Sequence, residues 1–445
     1  MNEQPRRFLE RVWRSVRQPQ SAAAGGPADH LIALCDSLLS ERGEVSSARI
    51  ASEAVAAYDQ LTDQGRGAFF NTLVEQYGPD PDSVNRAMDA YRQDSSATRL
   101  AALHAATESR RQELFRRLNT APGGTRMLVR MRADLLATLA EHPDRVPVDA
   151  DLARLFRSWF NRGFLVLQRI DWRTSALVLE RLIQYEAVHQ IQGWDDLRRR
   201  LERDRRCYAF FHPALPDEPL IFIEAALTPG ILGYVRPLLD PQSAVEDPAT
   251  ARCAIFYSIT NCQAGLRGVS FGNFLIKQVV EDLSGEFRRI RKFATLSPIP
   301  GFRGWLMQHR ELMSPSLAPL PLDTPAALTA VPDPVRDEIV QLCAYYLLRA
   351  KRGHAPLDPV ARFHLANGAR LARLNWGGDV SSAGIASSLG ITANYVYRMA
   401  DVEQNHEAYA KDFKVVATFA LERLAREVKD HHDPEPQRLR DTENN

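Results

Sequence analysis

Residues 253–277 read CAIFYSITNCQAGLRGVSFGNFLIK, and this stretch decides the fold. Cys253 to Thr260 is an apolar, β-branched and aromatic run of strand length. Gly265, Gly268 and Gly272 then interrupt it, and helical spacing resumes from about Gly272 to Leu283. A strand that enters a helix through a glycine-rich turn is a βα unit, which predicts a mixed α/β domain. Such a turn lets the backbone approach a ligand closely. The helix start offers free N–H groups and the positive end of its dipole, which suits a pyrophosphate. The plain alternative is a turn that holds nothing.

Outward from this unit, residues 207–212 (CYAFFH) and 220–227 (LIFIEAAL) are two β-rich runs. Pro213, Pro216, Asp217 and Pro219 between them predict a hairpin. A fourth run, 292–297 (KFATLS), ends at Pro298-Ile-Pro300-Gly301. Residues 314–335 are proline-rich and read as irregular, and helices are expected to return from 336. Toward the N-terminus, residues 28–158 are helical in pattern throughout. Met127, Leu128, Met131, Leu135 and Leu139 share one face. This segment holds no clustered His, Cys or carboxylates at ligand spacing, so scaffold or oligomerisation is its expected role. The character changes near Trp159. The expected class is therefore α+β. Residues 1–27 form a tail and linker, 28–158 a helical bundle, 159–430 a mixed α/β catalytic domain, and 431–445 a disordered tail.

Composition limits the function. With 45% hydrophobic and 25% charged residues, the 445-residue chain is ordinary globular text long enough for two or three domains. A net charge of +1 argues against a nucleic-acid coat or a basic membrane binder. Of its cations only six are lysine, and the first is Lys277. Codon usage accounts for that bias, yet Lys277 falls on the helix that the glycine turn starts. It is a candidate phosphate contact or a solvated surface lysine. The five cysteines form no CxxC pair, so neither a metal site nor a disulfide framework is expected. No apolar run approaches the ~18 residues of a membrane-spanning helix. Residues 5–17 are Arg-rich, with Phe8, Leu9, Val12, Trp13 and Val16 at helical spacing. That leaves a mitochondrial matrix address open beside the favoured bacterial cytoplasm.

Three further positions invite chemistry. Ser297 closes a strand just before two prolines fix the exit path, so it either faces a cleft or caps a turn. His364 lies on a helix that Asp358 and Pro359 begin as cap and first turn. It is a proton carrier or a hydrogen-bonded core histidine, with Asn367 one turn away to orient it. Residues 385–398 have the Ala-x-x-Leu-Gly-Ile turn of a DNA-binding helix-turn-helix, although Arg398 is the one cation from Asp379 through Ala400.

The turn Arg267-Gly268-Val269-Ser270-Phe271-Gly272-Asn273 resembles the loop with which acetyltransferases of the GNAT class bind coenzyme A, with Ser270 in place of the first glycine. A longer set of strings resembles the malonyl-CoA decarboxylase family. These are Met127-Leu-Val-Arg-Met-Arg-Ala-Asp-Leu-Leu136, Trp159-Phe-x-x-Gly-Phe-Leu, Glu186-Ala-Val-His189, Arg206-Cys-Tyr208 and Phe256-Tyr-Ser258-Ile. Then come Phe274-Leu-Ile-Lys277, Leu296-Ser-Pro-Ile-Pro-Gly-Phe302, Asn367-Gly368, Asn375-Trp376, Asp379-Val-Ser381 and Ala393-Asn394-Tyr395-x-Tyr397. The resemblance spans roughly residues 120–410. It implies a helical N-terminal domain and a GNAT-like catalytic domain that releases carbon dioxide from malonyl-CoA to give acetyl-CoA, without metal or organic cofactor. It implies Ser297 and His364 as catalytic residues, Arg267 to Asn273 as the acyl-CoA loop, and Tyr397 beside the site. It also implies a homo-oligomer, dimer or tetramer. Some members carry Glu where this chain has Ser270, so a carboxylate role at that position does not carry over. Phe256, Phe271 and Phe302 are the expected apolar wall around the substrate carboxylate. Two other readings use the same residues: a GNAT-type N-acyltransferase, or a DNA-binding regulator built on 385–398. If Lys277 meets a phosphate, Lys277→Ala raises the acyl-CoA dissociation constant more than it lowers kcat, as titration calorimetry and steady-state kinetics would read.

Overall fold

The computed structural model describes residues 26–41, 43–269, 275–318 and 320–428. Two compact units divide at Asn161/Arg162, and Gln263–Val269 packs with the first of them.

The first unit is helical: α1 (Pro27–Ser40), α2 (Glu44–Asp59), α3 (Asp63–Glu75), α4 (Pro81–Gln93), α5 (Ala97–Thr107), α6 (Arg110–Asn119), α7 (Gly124–Thr138) and α8 (Val146–Trp159). Starts follow local chemistry. Thr62 caps α3 by accepting from the Gly65 amide, and Asp80 with Pro81 begins α4 in the same way. Leu73, Phe115, Leu128, Met131, Leu135, Leu152 and Phe156 are fully buried in this unit. Asp151 is buried beside them, and accepts from Ser109, Arg111 and Gln112 at 2.6–2.7 Å. Three charge-assisted or polar partners make that burial tolerable.

Segment 263–269 is seated on α7 by a close approach of backbone. A Cβ on Gly265 would lie 1.8 Å from the Val129 carbonyl oxygen, so only glycine fits. Arg132, buried on α7, donates to the carbonyls of Gly265 (2.7 Å) and Arg267 (3.0 Å) while its Nε holds Asp149 at 2.7 Å.

The second unit is a seven-stranded mixed sheet with helices on both faces. Its elements are β1 (Val166–Ile170), α9 (Ala176–Tyr185), α10 (Trp194–Arg200), β2 (Arg205–Phe211), β3 (Ile221–Thr228), α11 (Arg236–Leu239) and β4 (Cys253–Asn261). They continue with α12 (Leu275–Glu286), β5 (Lys292–Thr295), α13 (Phe302–Gln308), α14 (Pro325–Thr329), α15 (Asp333–Arg349), β6 (Lys351–Arg352) and β7 (Ala355–Pro356). The last are α16 (Pro359–Ala366), β8 (Arg370–Asn375), α17 (Ser382–Ser388), β9 (Thr392–Tyr397), α18 (Met399–Asp412) and α19 (Phe419–Glu427). The strand order is β1-β2-β3-β4-β5-β9-β8, with β6 and β7 forming a separate small ribbon. Neighbours are antiparallel except β4 and β5, which α12 joins as a parallel pair. Alternation along β2 sends Cys207, Ala209 and Phe211 into a core with Leu179, Leu182 and Leu197 of α9 and α10. Arg206 and Tyr208 point the other way, onto Glu286 and Asp282 of α12.

This helical region followed by a mixed α/β domain is the expected class. The hairpin, the glycine-interrupted βα unit and the fourth run also lie where the sequence puts them. Other strands do not. Residues 166–170 carry no expected element and form β1, while 351–352, 355–356, 370–375 and 392–397, where helices are expected, form β6, β7, β8 and β9. β1 and β8 are the sheet edges, with much of each exposed, so their apolar signal is thin. The helix-turn-helix reading is corrected by β9. After α17, Leu389 (φ 53) and Gly390 (φ 74) turn the chain through left-handed conformations. Thr392 to Tyr397 then runs as an interior strand between β5 and β8, where its β-branched and aromatic residues fit. No recognition helix follows the turn, and the DNA-binding reading is withdrawn.

Gly265→Ala should destabilise the chain by about 1–3 kcal/mol, as overpacking does, and lower the first calorimetric transition. Gly285→Ala, whose Cβ would meet nothing within 4 Å, is the control and should leave it unchanged or raised.

Candidate active site

The site begins with an irregularity in β4. Glu224 of β3 pairs with Ser258, but Ala225 pairs with Phe256, so Tyr257 is an extra residue in a bulge. β4 and β5 are in register from Cys253/Lys292 to Phe256/Thr295 and then part. The Leu296 amide makes a last bond to the Phe256 carbonyl (2.9 Å), and Ser297 crosses to β9, exchanging two backbone bonds with Ala393 (2.8 and 2.9 Å). Pro298 cannot donate to a ladder and continues the departure.

A cavity of about 250 Å³ lies where the strands separate. Phe256, Tyr257, Ile259 and Asn261 line one side, and Leu296, Ser297 and Pro298 the other. Pro359, Val360, Phe363 and His364 close it from α16, and Val188 from the α9–α10 connection. Asp358 sets the start of α16: its buried carboxylate accepts from the Ala361 amide at 2.8 Å, and Pro359 occupies the first turn. Burial raises the Asp358 pKa to about 6.

His364 bridges two hydroxyls. Its Nε2 is 2.9 Å from Ser297 Oγ, and its Nδ1 is 2.8 Å from Tyr397 Oη. Ser297 Oγ donates to Thr295 Oγ1 (2.8 Å), which also accepts from the Tyr395 amide (3.1 Å). Donor counting then assigns the tautomer. The Ser297 proton is on Thr295, so Nε2 carries the imidazole proton and Nδ1 accepts from Tyr397. The Tyr395 ring stacks on the imidazole at 4.6 Å and 26°. Phe363 and Tyr397 meet it edge-on. Burial without a counter-charge drives the His364 pKa down to about 3 and the Tyr397 phenol well up. The ligand-free site therefore holds a neutral imidazole.

Other expected residues fall as follows. Phe256 lines the cavity and meets Tyr397 edge-on. Phe302 instead packs on Trp305 and Tyr346 and is not in the lining. Asn367 donates to the Phe363 carbonyl at 2.8 Å, while Tyr397 holds the ring's Nδ1. Arg267, Gly268 (φ 77) and buried Val269 belong to the segment seated on α7. Ser270, Phe271, Gly272 and Asn273 lie outside the described residues, and α12 is described from Leu275. Lys277 pairs with exposed Glu403 at 2.9 Å, a partner that a phosphate would have to replace. Sequence reasoning missed Thr295, Tyr395, Arg132 and Val188. Thr295 had a signal, since it sits two residues before Ser297 on the same strand face. Among the described residues no group of three or more His, Cys, Asp or Glu could hold a metal, and no helix is long and apolar enough to cross a membrane.

A buried histidine strung between a serine and a tyrosine, in a cleft opened by a parted parallel pair, is the candidate active site of an α+β protein. Residues 163–435 match the malonyl-CoA decarboxylase C-terminal domain, and residues 77–160 match the N-terminal domain of the same name. The mitochondrial malonyl-CoA decarboxylase of Rattus norvegicus is 33% identical over 401 residues, covering 80% of this chain and 81% of the rat protein. That of Anser anser anser is 38% identical over 334 residues, 67% of this chain and 66% of its own length. The crystal structure of malonyl-CoA decarboxylase from Rhodopseudomonas palustris is 49% identical with a TM-score of 0.86, covering 90% of this chain and all of that one. The one from Agrobacterium vitis is 46% identical with a TM-score of 0.82, over 89% and 99%. The chain belongs to the malonyl-CoA decarboxylase family.

The buried imidazole has a consequence for stability. The unfolded chain protonates His364 near pH 6.5 and the folded chain only near 3, so the unfolded state binds more protons between these values. Stability falls as pH drops through that window. Relative to His364→Gln, the unaltered chain should lose up to ~1.4 kcal/mol more per pH unit between pH 6 and 4, measured by urea unfolding.

Proposed function

We propose that this chain decarboxylates malonyl-CoA to acetyl-CoA and carbon dioxide, and that Ser297, His364 and Tyr397 carry the chemistry. The observation behind this reading is the His364 bridge between Ser297 and Tyr397 at the wall of an otherwise apolar cleft.

The mechanism follows from the charges. Malonyl thioesters lose carbon dioxide when the carboxylate stands roughly perpendicular to the thioester plane. The bond from the α-carbon to the carboxylate breaks, its electron pair passes to the thioester oxygen as an enolate, and carbon dioxide leaves. The thioester is itself the electron sink, so this step needs no organic cofactor. A carboxylate entering the apolar cleft puts a negative charge beside His364, and an opposite charge favours the imidazolium. The ring that is neutral in the empty site thus takes up one proton with the substrate. The imidazolium gives its Nε2 proton to the α-carbon, directly or through Ser297, and becomes neutral again with the other proton on Nδ1 toward Tyr397. The balance closes: one carboxylate thioester and one proton give one acetyl thioester and one carbon dioxide. Ser297 presents its hydroxyl to the substrate carboxylate, and Tyr397 fixes the ring through Nδ1. Arg267 to Asn273, with Lys277, hold the coenzyme A phosphates. A bacterial cytoplasm belongs to the same reading, supported by the likeness to two bacterial proteins, and a homo-oligomer, dimer or tetramer, is proposed with it.

Incubation with malonyl-CoA alone tests this, with acetyl-CoA followed by mass and carbon dioxide by isotope label. Release without any acceptor amine is expected, and acceptor-dependent acyl transfer in its place would overturn the reading. His364→Ala should lower kcat by ~10²–10⁴ while acyl-CoA still binds. Near-normal turnover in that variant would remove His364 from the mechanism.

A further inference from the structure

Among the described residues, Val188 is the one lining residue of the cleft that comes from neither the sheet and its β5 exit nor α16. It lies in the irregular connection between α9 and α10, where strand and helix geometry do not fix a side chain. Buried charges fix it instead. Glu186 Oε1 accepts from the amides of Val188 (2.7 Å) and His189 (2.6 Å). Its Oε2 accepts from Ser258 (2.7 Å) and Thr260 (3.3 Å), the two same-face residues that follow the bulge in β4. Arg200 closes the clamp: one nitrogen donates to the His189 carbonyl (2.8 Å) and another to Glu224 (2.9 Å), while its Nε donates to Asp196 (3.0 Å). Glu186, Arg200 and Glu224 are each no more than 5% exposed.

Burying three ionisable groups is expensive, and well-packed apolar residues of similar volume would often serve stability as well or better. What charges add is a defined position. Here they tie five residues of loop to the part of β4 that walls the cleft, and carry one apolar side chain into it. The cleft is also small. At about 250 Å³ it falls below the ~300–1,000 Å³ that encloses a whole drug-sized ligand, so it takes the acyl head of a thioester rather than all of coenzyme A. In such a space the α-carbon, which must come within about 3–3.5 Å of the reacting groups, is also close to the other lining side chains, Val188 among them.

We propose that Val188, held by the Glu186–Arg200 clamp, sets the room at the substrate α-carbon and so decides between malonyl and α-substituted malonyl thioesters. This rests on the decarboxylase reading. A wall of this kind discriminates by single carbons, an effect of ~10–200-fold per methylene in apolar pockets. Glu186 is then a positioning residue that acts through Val188.

The test is competition between malonyl-CoA and methylmalonyl-CoA in one mixture, scored as the ratio of their kcat/KM values. Val188→Ala should raise the methylmalonyl share about tenfold, and Val188→Ile should lower it. Glu186→Gln should move the ratio in the direction of Val188→Ala. A merely structural role would lower its Tm and slow both thioesters alike, leaving the ratio in place. A ratio unchanged in both Val188 variants overturns the assignment, and Val188→Ile alone decides it if Val188→Ala does not fold. Should the unaltered chain release no carbon dioxide from malonyl-CoA, the decarboxylase reading fails separately. The ratio of dissociation constants for the two thioesters, by calorimetry, then judges Val188 by itself.

Discussion

The parting of β4 and β5 is the constraint from which the rest of the catalytic unit follows. A parallel pair kept in register along its whole length would leave no space between its strands. Here the bulge at Tyr257 alters the twist of β4, and Pro298 denies β5 another ladder bond. The chain at Ser297 satisfies its backbone groups on β9 instead. The gap is therefore opened without orphaning buried amides, which would be costly. Its walls are strand residues of β4 and the β5 exit, closed by α16 and by Val188.

Burial then determines the electrostatics. His364 has hydroxyl and aromatic neighbours and no carboxylate partner, and the apolar surroundings hold it neutral. A histidine paired with Asp or Glu would rest closer to the imidazolium, ready to attract an anion of any kind. A neutral ring instead gains its proton most readily when an anion arrives inside the same low-dielectric space. On the proposed decarboxylase reading, the site is thereby matched to a substrate that brings its own negative charge. Elsewhere the opposite device is used: in the helical unit Asp151 is buried against three polar side chains, and in the second unit Glu186 and Arg200 are buried while holding backbone groups of the α9–α10 connection in place.

Much of this was legible beforehand, for reasons that differ by residue. β2, β3 and β4 are sheet-interior strands, so both of their faces are apolar and their runs stand out. The start of α16 is local chemistry, a capping Asp before Pro, and needs no tertiary partner to be read. β1 and β8 were missed because an edge strand with exposed residues has little apolar signal. β9 was missed because Leu389-Gly390 looks like the turn between two helices until the sheet on either side is known. Phe302 was misassigned to the cleft because an aromatic near Ser297 in sequence need not face it in space.

By itself, then, the sequence determined the fold class, the βα unit at its centre and the candidate pair Ser297 and His364. All of these rest on local propensity, capping and short strings of residues, which do not depend on distant contacts. Only the tertiary structure decided that the two residues meet at 2.9 Å, with Tyr397 behind them and Thr295 beside them. The bulge that opens the cleft and the loss of charge from the imidazole are also tertiary. Register, burial and dielectric are properties of residues far apart in the chain, and no local pattern encodes them.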